Sequence, residues 1–175
     1  NTAIGLHALK SNTTGCGNIA IGQTYGGALC KNTTGHDNVA FGGLFNNTTG
    51  YANFAAGYNS LASNTTGYYN VAIGGSSALE SNTTGTANFA VGYRALLRNT
   101  EGNANFAWGH CALGDNTTGC NNVALQGLNK NTTGCHNTSI GTQALYGNET
   151  GSSNTAIGNA ALNNNNVGSN NIAIG

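Results

Sequence analysis

The sequence predicts an all-β protein: a parallel β-solenoid, or β-roll, of about ten coils with a 17-residue repeat. Three observations carry that prediction. The phrase Asn, any residue, Ala, a bulky apolar residue, Gly returns with little variation, starting at Asn1, Asn18, Asn38, Asn53, Asn70, Asn88, Asn105, Asn122, Asn137, Asn154 and Asn171. The steps between starts are 17, 20, 15, 17, 18, 17, 17, 15, 17 and 17 residues. Between successive starts lies a second phrase, Asn-Thr-Thr-Gly or a near relative of it. A period of this kind marks an array in which each unit packs only on its neighbours. Residues 1–175 therefore read as a single repeat array without visible caps, and an enzyme is not expected.

The first phrase reads as a strand. Its second slot holds Thr2, Ile19, Val39, Phe54, Val71, Phe89, Phe106, Val123, Thr138, Thr155 and Ile172. Its fourth holds Ile4, Ile21, Phe41, Ala56, Ile73, Val91, Trp108, Leu125, Ile140, Ile157 and Ile174. These are mostly β-branched or aromatic residues, which suit a pleated surface. Alternate strand residues face opposite sides, so slots two and four share one face and slot three lies on the other. Slot three is Ala in every unit except Ser139. A strand with a bulky face and a small apolar face is expected to be covered on both sides. One face closes the coil's own core; the other meets the opposite wall at close range or another chain. Aromatics in slots two and four are expected in the core. Slot five is Gly except at Gln126, as a sharp turn requires.

The next element is Ala-Leu, at Ala8-Leu9, Ala28-Leu29, Ala78-Leu79, Ala95-Leu96, Ala112-Leu113, Ala144-Leu145 and Ala161-Leu162. It reads as a second short strand that supplies Leu to the core, because a three-turn helix does not fit between the glycines on either side. Coils stacked at the inter-strand spacing of about 4.8 Å make a rod roughly 48 Å long. Units of other lengths should differ in their loops and keep their strands in register.

Composition narrows the function classes. Charged residues are 6% of the chain and the net charge is zero, against about 25% charged in ordinary globular chains. No basic patch exists to neutralise phosphates or an acidic membrane surface, so nucleic acid is not an expected partner. At 38% hydrophobic residues in strict phase, the chain is not of disordered type. It has no Pro and no Met, starts on NTAIG and stops on NIAIG. That pattern is expected of an excerpt from a longer array, or of ends covered by neighbouring subunits. No apolar run reaches the length of a bilayer span, and none of these residues is expected to belong to a signal peptide.

Asn opens every unit, and stacked Asn side chains can hydrogen-bond along a ladder. The Asn of the Asn-Thr-Thr-Gly loop also meets the N-glycosylation rule, at Asn12, Asn32, Asn47, Asn64, Asn82, Asn116 and Asn131, with Asn148-Glu149-Thr150 as a variant. Two readings stay open here. Either a regular stripe of glycan runs along the rod, or Asn and Thr act as turn formers that bond local backbone while Gly takes positive φ.

Of the five cysteines, Cys16, Cys120 and Cys135 directly follow Asn-Thr-Thr-Gly. Cys120 and Cys135 fall in successive coils, with Cα atoms expected about 5 Å apart, and are the disulfide candidates. The odd count leaves at least one cysteine free or bonded to another chain. His110-Cys111 and Cys135-His136 match no closed zinc pattern, so no metal or cofactor is expected. Asp37, Glu80, Glu101, Asp115 and Glu149 lie in different units, and no catalytic pair is evident. The loop residues Tyr51, Tyr68 and Tyr69 are the aromatics open to a sugar-binding role.

The recurring phrases NTAIG, NIAIG, NVAIG and NFAVG, each following a loop, resemble the head repeats of trimeric autotransporter adhesins. They are also similar to the Gly/Asn-rich repeats of phage tail fibres. The resemblance covers the whole chain. It implies a left-handed parallel β-roll, with three chains about one axis and the strands facing inward. The longer unit, the Asn-Thr-Thr-Gly loop and the cysteines depart from the adhesin pattern. The leading functional expectation is a non-enzymatic structural segment of an extracellular or cell-surface fibre or adhesin stalk. It would be a homo-oligomer or filament, joined laterally or end to end through apolar strand faces and glycosylated on its loops. A cell-surface glycan is the partner class that an adhesin surface implies. The alternative is an ice-binding or carbohydrate-binding solenoid, against which adjacent Thr13-Thr14 counts, since strand neighbours cannot share one flat side.

Overall fold

The computed structural model describes residues 1–22 and 27–175. It contains eleven strands, which run β1 (Thr2–Ile4), β2 (Ile19–Ile21), β3 (Val39–Phe41), β4 (Phe54–Tyr58), β5 (Val71–Ser76) and β6 (Phe89–Val91), followed by β7 (Phe106–Trp108), β8 (Val123–Leu125), β9 (Thr138–Ile140), β10 (Thr155–Ile157) and β11 (Ile172–Ile174). All pair in parallel and in chain order within one sheet. The chain is thus a β-solenoid that advances one strand per coil. Register is kept throughout: Ala3 faces Ala20, Ala20 faces Ala40, and so on to Ala156 against Ala173. The 15-residue units lose residues only at the corner after the strand. The 18-residue unit absorbs its extra residue as an irregularity between Ala56 and Tyr58, where Tyr58 pairs with Ser76. The insertion of the 20-residue unit falls on 23–26, outside the described residues.

The coil is thin, and that decides which strand face points inward. Slot three is fully buried from Ala20 through Ala156, Ser139 included. These alanines form one apolar cluster with a column of leucines on the opposite wall: Leu29, Leu44, Leu61, Leu79, Leu96, Leu113, Leu128 and Leu145. A methyl against a Leu fills the gap between the walls, and a Phe or Ile there would not fit. The bulky residues of slots two and four are therefore turned outward and lie half-buried or exposed. This corrects the expectation that their aromatics are core.

The Ala-Leu element supplies Leu to the core as expected, but it is a turn and not a second strand. Each of its leucines has positive φ, from 49° at Leu145 to 57° at Leu128. That conformation costs a branched side chain roughly 1 kcal/mol. It turns the corner while keeping the amide aimed along the rod: Leu79 N–H donates to Ala95 O (2.9 Å), and Leu96 N–H to Ala112 O (3.0 Å). Burying the Leu returns about 2 kcal/mol, which outweighs the strain.

Two asparagine ladders fill the rest of the section. The slot-one amide of Asn38 donates to Asn18 Oδ1 (3.2 Å) and to Gly50 O (2.8 Å). Its own Oδ1 accepts from the Asn53 backbone N–H and from Asn53 Nδ2, both at 3.0 Å. Every donor and acceptor of that buried side chain is used, as burial demands. The loop asparagines stack in the same way: Asn47 Nδ2 donates to Asn32 Oδ1 (2.8 Å) and to Gly50 O (2.9 Å). Both ladders thus converge on one carbonyl per coil, that of the loop Gly. An added Cβ on Gly119 would fall on Asn116 Oδ1 and Gly134 O, so close approach, and not positive φ, requires Gly there. In the loops from Asn12 through Asn116 three successive amides share a single acceptor, and Thr117, Thr118 and Gly119 all donate to Thr132 O at 2.9–3.2 Å; in the loops at Asn131 and Asn148 two amides do so.

Candidate functional site

The most distinctive surface follows from the inward alanines: a continuous apolar strip on the outer face of the sheet. Its two columns are slots two and four. They contain three threonines (Thr2, Thr138, Thr155) among aliphatic and aromatic residues, and no charge. In-register parallel pairing stacks like on like. Phe89 and Phe106 lie face to face at 4.8 Å, and Phe41 packs on Phe54 at 6.1 Å. The slot-four column protrudes most, with Phe41 at 44%, Ile73 at 40% and Trp108 at 52% exposure. Ten inter-strand steps of about 4.8 Å by a three-residue strand of about 10 Å give a strip on the order of 500 Å². That matches the largest apolar patch of an ordinary monomer, about 300–600 Å², a patch that is often functional.

The loop asparagines proposed as glycosylation positions belong to the interior. Asn32, Asn47, Asn64, Asn82, Asn116, Asn131 and Asn148 are fully buried. Each commits its amide nitrogen to the neighbouring Asn and to the loop Gly, as Asn116 does to Asn99 Oδ1 (2.8 Å) and Gly119 O (3.0 Å). A sugar on that nitrogen would break both bonds and fill space held by the stack, so the folded rod offers these amides to no glycan. Asn12, half-buried in the first described coil, also gives its amide to Gly15 O (2.9 Å). Of the two readings, this geometry is that of Asn side chains bonded within the loop and ladder.

The structure brings Cys120 and Cys135 together as thiols, with Sγ atoms 2.7 Å apart and the Cys120 N–H donating to Cys135 Sγ at 3.1 Å. Partial burial, with the Cys120 thiol hydrogen-bonded beside it, pushes the Cys135 thiol above the ordinary range. Cys16 is exposed, Cys30 donates to Phe45 O (3.3 Å), and Cys111 lies half-buried in another column. Among the described residues no three His, Cys, Asp or Glu side chains gather as a metal site. The carboxylates remain apart: Asp37 meets His36 (2.9 Å) and Asp115 meets Arg98 (3.2 Å).

The loop tyrosines bind one another. Tyr51 has His36 stacked on one side and Tyr68 on the other, both at 4.8 Å, with Tyr69 at the edges of both tyrosines. Burial, then the neighbouring Tyr69 and Tyr68 phenols, pushes the Tyr51 hydroxyl up. With both faces occupied, Tyr51 is not a sugar platform. The Thr pairs also divide. The first hydroxyl of each loop donates to the next coil, as Thr65 does to Thr83 O (3.1 Å), while the second residue, such as Thr66 or Thr84, is exposed. A single file of exposed threonines is no two-dimensional lattice of the kind an ice face needs.

No family model, curated protein or solved structure matches this chain. Among the described residues no helix is long and apolar enough to cross a membrane.

Proposed function

We propose that this chain is a structural segment of an extracellular or cell-surface fibre or adhesin stalk, built by lateral association of copies of the rod through the outer strand face. The observation that carries this reading is the uncharged apolar strip of slots two and four. A strip on the order of 500 Å² on each of two partners gives about 1,000 Å² buried, the lower limit expected of a biological interface. A second copy is the natural occupant. It presents the same columns at the same 4.8 Å pitch, and neither face carries a charge to oppose the contact. Three rods about one axis, strand faces inward, is the arrangement that the resemblance to trimeric adhesin repeats favours. The fibre needs no glycan for this role, and its loops are already satisfied internally.

Light scattering of the purified chain tests the proposal. The expected mass is a whole multiple of 17.6 kDa that falls to 17.6 kDa in the double variant Trp108→Asp, Ile73→Lys. Both side chains point outward, so the coil itself should stay folded by circular dichroism. A wild-type chain that remains at 17.6 kDa at high concentration would overturn the proposal.

A further inference from the structure

The corner of the rod that follows the strands carries a built notch that the fibre role does not use. The 15-residue unit that begins at Asn122 places Gln126 directly before Gly127-Leu128, two corner residues short of its 17-residue neighbours. His110 of the coil before it and Thr142 of the coil after it therefore flank a gap. A second vacancy adjoins the first. The column after the leucines runs Leu97, Gly114, Asn129, Tyr146, as the bonds from Arg98 N–H to Gly114 O (3.1 Å) and from Lys130 N–H to Tyr146 O (3.2 Å) show. Gly114 contributes no side chain there. The result is two adjoining cavities of about 250 Å³ and about 320 Å³ that share Asn129 and Tyr146.

The chemistry of the notch is unlike the rest of the rod. Of the five Lys and Arg residues in the chain, Arg94 and Arg98 line it, and Lys130 sits 5.2 Å over the Tyr146 ring. Arg98 is paired with Asp115 (3.2 Å), whereas Arg94 rests on the Tyr93 ring at 5.2 Å, with no carboxylate partner among the described residues. Asn129 is held in place because its Nδ2 donates to Cys111 O (2.7 Å), which leaves its Oδ1 to accept from a ligand hydroxyl. Gln126 and Gln143 add side-chain amides on the other side. An unpaired guanidinium in one cavity, side-chain amides in the other, and an aromatic ring and an oriented amide shared between them match a saccharide that carries an acidic group.

We propose that this notch binds an acidic saccharide unit. Arg94 takes the carboxylate or sulfate, Tyr146 packs on the sugar's C–H face, and Asn129 and Gln143 bond its hydroxyls. The site borders the strand strip at Gln126, which directly follows slot-four Leu125, while Asn129 and Tyr146 lie past the leucines. A fibre would repeat it once per chain, and multivalent binding would then strengthen capture of a polymer.

Calorimetric titration with glucuronic acid, against glucose and inorganic sulfate, tests this. We expect one site per chain, with glucuronic acid bound about tenfold more tightly than either comparison ligand. Arg94→Gln and Tyr146→Ala should each remove that preference without changing the far-UV circular dichroism. In the unsubstituted chain, the side-chain amide resonances of Asn129, Gln126 and Gln143 should shift on titration, a readout independent of any variant. Glucuronic acid bound no more tightly than glucose or sulfate would overturn the proposal. So would an affinity that both substitutions leave intact, or shifts confined to other loops.

Discussion

Replacing Asn105 by Asp tests the asparagine ladder at mid-rod with a change of one atom. Asn105 is 1% exposed. Its Nδ2 donates to Asn88 Oδ1 (3.1 Å) and Gly119 O (2.8 Å), and its Oδ1 accepts from Asn122 N–H and Asn122 Nδ2, both at 3.1 Å. Asp keeps the acceptor side and loses both donors, setting a carboxylate oxygen against two other acceptors. Two lost bonds at about 1 kcal/mol each, with an unpaired buried charge beside them, cost about 3–5 kcal/mol at neutral pH. Protonation restores one donor. The carboxyl's folded pKa is therefore raised above its unfolded value of about 3.9. A raised folded pKa means stability that is fully present below the unfolded pKa and lost as pH rises through the folded one. Guanidinium unfolding followed by circular dichroism at pH 3.5 and pH 7, each relative to the unsubstituted chain, measures this. The deficit of the Asp variant should be clearly smaller at pH 3.5, while Asn105→Ala should lose about 2–4 kcal/mol at both pH values. A deficit in the Asp variant below about 0.5 kcal/mol at pH 7, or one independent of pH, would refute the ladder argument.

Other positions give sharper single tests. Leu113→Ala should lower stability by about 2–5 kcal/mol, because the facing alanines are too short to fill the space, and denaturant titration reads this directly. Gly119→Ala should destabilise as severely as a ladder substitution, since its methyl would strike Asn116 Oδ1 and Gly134 O; a neutral result in the same titration would contradict the close approach. Mild oxidation should join Cys120 to Cys135, seen by mass spectrometry as loss of one hydrogen pair and a cross-linked peptide, while Cys16 stays alkylatable. Burial raises the Cys135 thiol, so the fold favours its protonated form. That preference is present below the unfolded pKa and lost as pH rises through the folded one, and alkylation of Cys135 should accelerate only at a pH above that of an ordinary thiol.

How far the fold can be read from residues alone depends on which question is asked. The strand phrase, the period, the register and the stacking of slot-one Asn follow from repetition, because in-register coils must place like on like. Orientation does not follow. A two-residue alternation separates a bulky face from a small one without saying which points inward. Only the width between Ala107 and Leu113 decides that, and width is a property of the closed coil. The leucines misled for a different reason: positive φ is disfavoured for a branched residue, so nothing in propensity points to a turn at Leu96 or Leu113. The loop asparagines satisfied a glycosylation rule and a ladder rule with the same letters, and burial separates the two. The notch was legible in part, as the 15-residue step after Asn122 and the Gly at position 114. Its lining was not, because Tyr146 and Arg94 come to line one cavity only after four coils have stacked.

Mass per unit length, measured by scanning transmission electron microscopy on the assembled protein, tests lateral association most directly. One 17.6 kDa chain over roughly 48 Å of rod gives about 0.37 kDa per Å. Association through the strand strip predicts a whole multiple of that figure, about 1.1 kDa per Å for three chains, with a return to the single-chain value in the Trp108→Asp, Ile73→Lys variant. Long rods of the unsubstituted protein at about 0.37 kDa per Å would mean that the outer strand face stays bare, and would contradict the account.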